Sequence, residues 1–161
     1  MKDKILEIIN NVSPDAVLEI EEFRGDLSIK LNPTFLVEVA TALKSNAELA
    51  FISIRDITAI DWAKRKNRFT VVYNVFSFKL NFRLRLKADA DDNFEIDSVT
   101  SVWQGANWYE RETYDMYGIK FRNHPDLRRM YMPEEFEYYP LRKEFPVMGI
   151  PGSIPLPNKE D

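Results

Sequence analysis

The segment LNFRLRLK, residues 80–87, alternates without a break, with Leu80, Phe82, Leu84 and Leu86 on one side and Asn81, Arg83, Arg85 and Lys87 on the other. A period of two is the mark of a half-buried strand: one face meets a core and the other meets water. A strand cannot stand alone, so the chain must supply a sheet around it and a cover for its apolar face. Upstream, AFISIRDITAI and RFTVVYNVF are rich in β-branched and aromatic residues, so Leu49 to Lys87 reads as extended chain. The turn before residue 80 carries no Gly or Pro and is expected near Ser77 to Lys79.

The cover comes from the first third of the chain. Ile5, Ile8, Ile9 and Val12 recur at helical spacing and stop before Pro14. AVLEIEEF and DLSIKL then read as two strands joined at Arg24-Gly25, a hairpin turn. A second helix follows, with Asn32 at its cap, Pro33 at its first position and Leu36, Val39, Ala40, Leu43 and Ala47 along one face. The expected class is α+β: an antiparallel or mixed sheet with helices packed on one face, then an extended proline-rich C-terminal arm. Residues 1–121 form the α+β domain and 122–161 the arm.

Length and charge narrow the function. At 161 residues and 45% hydrophobic the chain suits one domain, and a formal net charge of −4 argues against a nucleic-acid binder. FTVVYNVF also lacks the basic-Gly-aromatic pattern that presents stacking rings to RNA. With Cys 0 and His 1, thiolate metal sites, iron–sulfur ligation and cysteine nucleophiles are excluded. The acidic run at Asp89 to Asp92 lacks the glycine and distal glutamate of a calcium loop and reads as a solvated turn. Five glycines leave no dinucleotide fingerprint or phosphate loop. MKDKILEIINN does not read as a targeting segment, and no window reaches ~20 apolar residues. A soluble chain is expected, held at a membrane only through a partner. Arg83, Arg85 and Lys87 read first as guards against edge pairing, with a docking surface as the alternative.

Chemistry, if any, would lie in WYERETYDMYGIKFRNHPDLRRMYMPEEFEYYPLRKEFP. Asn107 and Glu110, three apart, suggest a capping box, and Gly118 suits a left-handed helix end, so Trp108 to Tyr117 is expected to be a short helix. On it Arg111 and Asp115 are spaced to pair, whereas Glu112 and Asp115 need a bridging cation, for which Arg128 and Arg129 are candidates. Glu112 with Asp115 makes a poor acid/base pair, since residues on one helix face do not flank a substrate. His124 has no Ser, Cys or second His to serve as a general base. A packing role fits both better.

Extended upstream to SVTSVWQGANWYERE, the stretch resembles the signature region of the C subunit of respiratory complex I, the proton-pumping NADH:quinone oxidoreductase, with its "W..A.W.ERE..D..GI.F..HPDLRR" run and closing "PLRKDFP". Trp103, Ala106, Trp108, Glu110, Arg111, Glu112, Asp115, Gly118, Ile119, Phe121, His124, Pro125, Leu127, Arg128 and Arg129 fall on the first pattern. Pro140, Leu141, Arg142, Lys143, Phe145 and Pro146 fall on the second. Tyr138 replaces a frequent glycine, and Glu144 the usual aspartate. The resemblance implies a stand-alone, non-catalytic subunit of the peripheral arm, with no cofactor of its own. Flavin and iron–sulfur clusters then sit in partner subunits. The implied partners are the quinone-site D subunit and the cluster-bearing B and I subunits, on the cytoplasmic side of the inner membrane. Electron transfer from NADH dehydrogenase chemistry to quinone, coupled to proton translocation in the respiratory chain, is implied of the whole complex. An equivalent subunit of a membrane-bound hydrogenase or a ferredoxin- or deazaflavin-linked dehydrogenase is the alternative. The tail FPVMGIPGSIPLPNKED has no period of its own, and its apolar residues Phe145, Val147, Met148, Ile150, Ile154 and Leu156 favour an arm that wraps a partner over a disordered end.

Overall fold

The alternating segment lies in the middle of the sheet. The computed structural model describes residues 1–63 and 65–153, and Lys64 and the last eight residues, Ile154 and Leu156 among them, fall outside the described residues. A first helix, α1 (Lys2–Val12), leads into the hairpin β1 (Val17–Phe23) and β2 (Asp26–Leu31). A single 3₁₀ turn at Pro33–Phe35 then opens α2 (Leu36–Ser45), and β3 (Ser53–Asp61), β4 (Phe69–Ser77) and β5 (Phe82–Asp89) follow. The chain continues through β6 (Glu95–Asp97), α3 (Ala106–Tyr117) and β7 (Lys120–Arg122).

The five long strands form one mixed sheet in the order β1-β2-β5-β4-β3. All neighbours are antiparallel except β2 and β5, which run parallel with Ile29 opposite Leu86. In-facing Leu27, Ile29, Leu31, Leu84, Leu86, Val71, Tyr73 and Val75 meet Ile5 and Ile9 of α1 and Val39, Ala40 and Leu43 of α2 in one core. α1 packs on α2, and α3 packs along β3. The α+β class with helices over a mixed sheet is the one the periodicities specify.

Several local expectations change. Asn32 caps the 3₁₀ turn, accepting from the Thr34 amide, whereas α2 itself starts at Leu36 without a side-chain cap and ends at Ser45, leaving Ala47 beyond it and exposed. The turn between β4 and β5 spans Phe78–Asn81, so Leu80 belongs to the turn. β5 is a central strand, so the stripe of Arg83, Arg85 and Lys87 guards no edge. Arg85 instead donates to Asn74 of β4 and Ser28 of β2, and Lys87 pairs with Glu21 of β1 at 2.9 Å. These cross-strand contacts tie four of the five strands together over the sheet's outer face.

The β1–β2 turn carries a correctable strain. Arg24 (φ 52°) and Gly25 (φ 87°) are both left-handed, as a two-residue hairpin of this hand requires. Glycine adopts that conformation freely and arginine does not. Arg24→Asn should therefore stabilise the protein by about 0.5–1 kcal/mol and raise Tm by roughly 1–4 °C, read by thermal unfolding. An unchanged or lower Tm would mean that the stacking of Arg24 over Phe23 at 5.1 Å outweighs the strain.

Candidate functional site

Helix α3 carries the charged stretch, and its polar residues face inward. Glu110, Arg111, Thr113 and Asp115 are all buried. The helix begins at Ala106 with Gly105 at its cap, two residues earlier than the capping-box reading requires, so Asn107 lies inside it. Glu110 is therefore free of the helix start. Its carboxylate accepts from the Ser98 hydroxyl at 2.6 Å and the Val99 amide at 2.7 Å, fixing the segment after β6.

Burial raises the Glu110 pKa to about 7, more than the hydrogen bonds from Ser98 and Val99 lower it. His124 stands beside it, Nε2 being 3.9 Å from Oε2, with both side chains fully buried. The histidine accepts the Asp126 amide at Nδ1, so Nε2 carries the proton and donates to the Asn107 carbonyl. Burial holds its pKa below the ordinary value, ahead of the opposing pull of the Asn107 carbonyl and Asp126. The neutral ring therefore pins the His124-Pro125 turn to the start of α3.

Asp115 organises the next loop. One oxygen, Oδ2, accepts three successive amides, those of Met130, Tyr131 and Met132, at 3.1, 2.7 and 3.0 Å. The other pairs with Arg129 at 2.6 Å. Burial alone would raise the Asp115 pKa, but the three amides and the guanidinium outweigh it and hold it below the usual carboxylate range. Arg111 does not pair with Asp115 as spacing suggests. It donates instead to the Arg128 and Arg129 carbonyls and lies 5.0 Å from the centre of the Trp108 ring, which is 60% exposed. Arg128 bridges nothing on α3 and pairs with Asp126. Glu112 is half-buried, and among the described residues no ion pair reaches it.

The PLRKEF segment folds back over the other end of α3. The Leu141 amide donates to the Met116 carbonyl, and Arg142 Nε to the Tyr117 carbonyl. Arg142 lies over the rings of Tyr139, Phe69 and Phe94 at 4.3, 5.4 and 5.4 Å. Gly118 makes this approach possible, since its φ is 76° and a Cβ there would meet the Arg142 guanidinium and stand 2.7 Å from Tyr139 Cζ. Pro140 is half-buried, whereas the Leu141 side chain is exposed. The Lys143 amide donates to Asp61 at 2.8 Å.

Asp61 and Arg68 are the residues that sequence reasoning missed. Arg68 grips Asp61 with two nitrogens, at 2.9 and 2.8 Å, and also reaches Glu144. Burial pushes the Asp61 carboxyl upward, but Arg68 and the amides of Lys143 and Ala63 prevail, leaving its pKa at about 2. A signal was present, because Ile57, Ala59 and Asp61 alternate on the inward face of β3, and an acid at a core position needs a partner.

The stretch thus holds the chain's own loops together through its charged groups. Among the described residues, no cluster of three or more His, Asp or Glu could hold a metal ion. The family described as "Respiratory-chain NADH dehydrogenase, 30 Kd subunit" matches residues 29–150. The chain belongs to that family. It is 44% identical over 144 residues to the NADH-quinone oxidoreductase C subunit of Roseiflexus sp. (strain RS-1), covering 89% of this chain and 83% of that one. The corresponding C subunit of Geobacter metallireducens is 44% identical over 142 residues, covering 87% of this chain and 86% of the relative. Among solved structures, "Nqo5 of the trypsin-resistant fragment (1-134)" superposes with a TM-score of 0.66 at 28% identity, over 78% of this chain and 98% of that one. A chain of the archaeal membrane-bound sulfane sulfur reductase shares the fold, with a TM-score of 0.71 at 22% identity over 91% of this chain and 86% of that chain.

Glu110 gives a pH dependence of known sign. Its folded pKa is raised, so its contribution to stability is complete below about pH 4.5 and is lost as pH rises to about 7. The loss amounts to about 3 kcal/mol above pH 7. Glu110→Gln keeps the shape and removes the charge. Denaturant unfolding at pH 5 and pH 8 should show the variant gaining on the parent between those values by up to that amount, whereas an equal change in parent and variant would mean that folding does not raise the Glu110 pKa.

Proposed function

We propose that this chain is a non-catalytic scaffold subunit of the peripheral arm of a complex I-type NADH:quinone oxidoreductase. It stands on the cytoplasmic side of the membrane against the quinone-site D subunit and the cluster-bearing B and I subunits. The reading rests on one observation above all: the signature charges Glu110, Arg111, Asp115, Arg129 and Arg142 are each engaged by the chain's own backbone or rings. Groups so engaged set the shape of the loops that they hold. Membership of the family and relatives named as C subunits supply the complex. Attachment through partners agrees with the described residues, in which no helix is long and apolar enough to cross a membrane.

The redox work of such a complex belongs to flavin and iron–sulfur clusters in the partner subunits. This chain, with Cys 0 and His 1, has almost no donors for either a cluster or a transition metal. Its part in quinone reduction and proton translocation is to hold the others in register. Trp108, Leu141, Val147 and Met148 are large apolar side chains left exposed, next to a charged frame that is internally satisfied. Such residues are what a partner's surface would bury.

Arg111→Ala separates holding from chemistry. It strips the donors from the Arg128 and Arg129 carbonyls, a cost of about 1–3 kcal/mol for each carbonyl that stays unsatisfied, and loosens the loop that Asp115 organises. Assembled complex on native gels should fall several-fold, while quinone reduction per assembled complex stays within about twofold. Normal assembly with collapsed turnover would overturn the scaffold reading.

The arm is tested by truncation after Pro146. The core lies upstream, so the isolated chain should keep its Tm, and co-purification of the quinone-site partner should drop. Met148 and Ile150 would each contribute about 1.5–3 kcal/mol if fully buried on a partner, less the cost of ordering the segment. Unchanged co-purification would return residues 147–161 to a solvated tail.

A further inference from the structure

The sequence between β3 and β4 reads WAKRKNR, four cations in the five positions 64–68 of a chain whose formal net charge is −4. Arg68 is taken by Asp61 and Glu144 inside the fold. Arg65 and Lys66 are exposed, and among the described residues no ion pair reaches either of them. The carboxylates at this end of the sheet are already committed. Asp61 holds Arg68 and two amides, and Asp89 holds Lys30 at 2.8 Å together with Thr70 and Asn67. Two positive charges are left facing water, without a counterion among the described residues.

Arg65 is also held in place. The Trp62 indole donates to Thr70 at 2.9 Å, which fixes the ring against the sheet, and the Arg65 guanidinium lies 4.0 Å from the centre of that ring. Trp62, Arg65 and Lys66 line an open groove of about 270 Å³ with Thr70, Asn67 and the Lys30–Asp89 pair. A guanidinium on an aromatic platform loses less freedom on binding than a free surface arginine.

We propose that the β3–β4 tip is a docking surface for an acidic segment of a neighbouring protein subunit, with Arg65 and Lys66 receiving its carboxylates beside Trp62. The proposal rests on the reading of the chain as a subunit of a larger complex and adds to it a surface and the chemistry of the partner. A lipid surface fits less well. Polybasic lipid contacts use four or more free cations, whereas Arg68 is engaged internally and the one aromatic residue of the tip is tied down by Thr70 and overlaid by Arg65. A second copy of this tip is excluded as occupant by like charge.

The test uses the assembled complex, purified through a tag on this chain. Carbodiimide coupling, which joins an amine directly to a carboxylate in contact with it, should link Lys66 to an Asp or Glu of another subunit, and Lys66→Arg should abolish that link while assembly persists. The double variant Arg65→Glu/Lys66→Glu should keep the Tm of the isolated chain and retain about tenfold less partner at moderate salt, with the parent showing the steeper salt dependence. Assembly of the double variant at parental levels, or sedimentation of the isolated chain with anionic phospholipid vesicles in a manner that the double variant loses, would overturn the inference while leaving the proposed function intact. Failure of the parent chain to co-purify with oxidoreductase subunits would overturn both.

Discussion

A single carboxylate oxygen, Oδ2 of Asp115, accepts three consecutive backbone amides, and the second half of the chain depends on it. Residues 130–132 form no helix or strand, and none of their side chains is fully buried. Without an anion at their centre, three adjacent amides pointing the same way would repel one another and require water. The arginine that completes the site, Arg129, also donates to the Tyr138 carbonyl. The contact that holds this loop therefore hands the chain on to Tyr139 and Arg142 at the far end of α3. Asp61 repeats the device, with one inward carboxylate, one arginine and two amides, and through the Lys143 amide it holds the PLRKEF segment.

Burying these charges is costly unless every lone pair is used. Asp61 and Asp115 meet that condition, and both are held below the ordinary carboxylate range. Glu110 does not. It has two donors and no cation, and its raised pKa expresses that shortfall. The difference follows from geometry: Glu110 faces the interior beside a neutral histidine, whereas the two aspartates sit where arginine side chains arrive from loops.

Much of the fold was legible because it is local. The periods of α1, α2 and β5, the Arg24-Gly25 turn and the cap at Asn32 each depend on a few neighbouring residues, and each forms where its pattern lies. What could not be read was pairing over distance. Nothing in the alternation of residues 80–87 says that β5 has a neighbour on both sides, so its basic stripe looked like an edge device. The two three-residue strands β6 and β7 are too short to show a period at all. In the charged stretch the residues were legible and their bonds were not. Helical spacing favoured Arg111 with Asp115, but the loop after α3 offered each of them better partners: carbonyls for the donor, and amides with Arg129 for the acceptor.

The same pattern of bonds explains why the stretch resembles an active site and works as a frame. Asp115, Arg111, His124 and Arg142 each have hydrogen-bonding capacity directed at the chain's own backbone or rings. Fixing irregular loops by buried polar contacts, instead of by a second hydrophobic core, leaves their apolar side chains outside. Leu141 is held by its amide and half exposed at its side chain, and Tyr131, held by the amide that Asp115 accepts, is exposed as well. A backbone already fixed in place that presents apolar groups to solvent has met most of the ordering cost of association before a partner arrives. The buried carboxylates and the exposed apolar side chains thus share one origin: contacts that engage polar groups inside the loops leave the apolar ones in solvent.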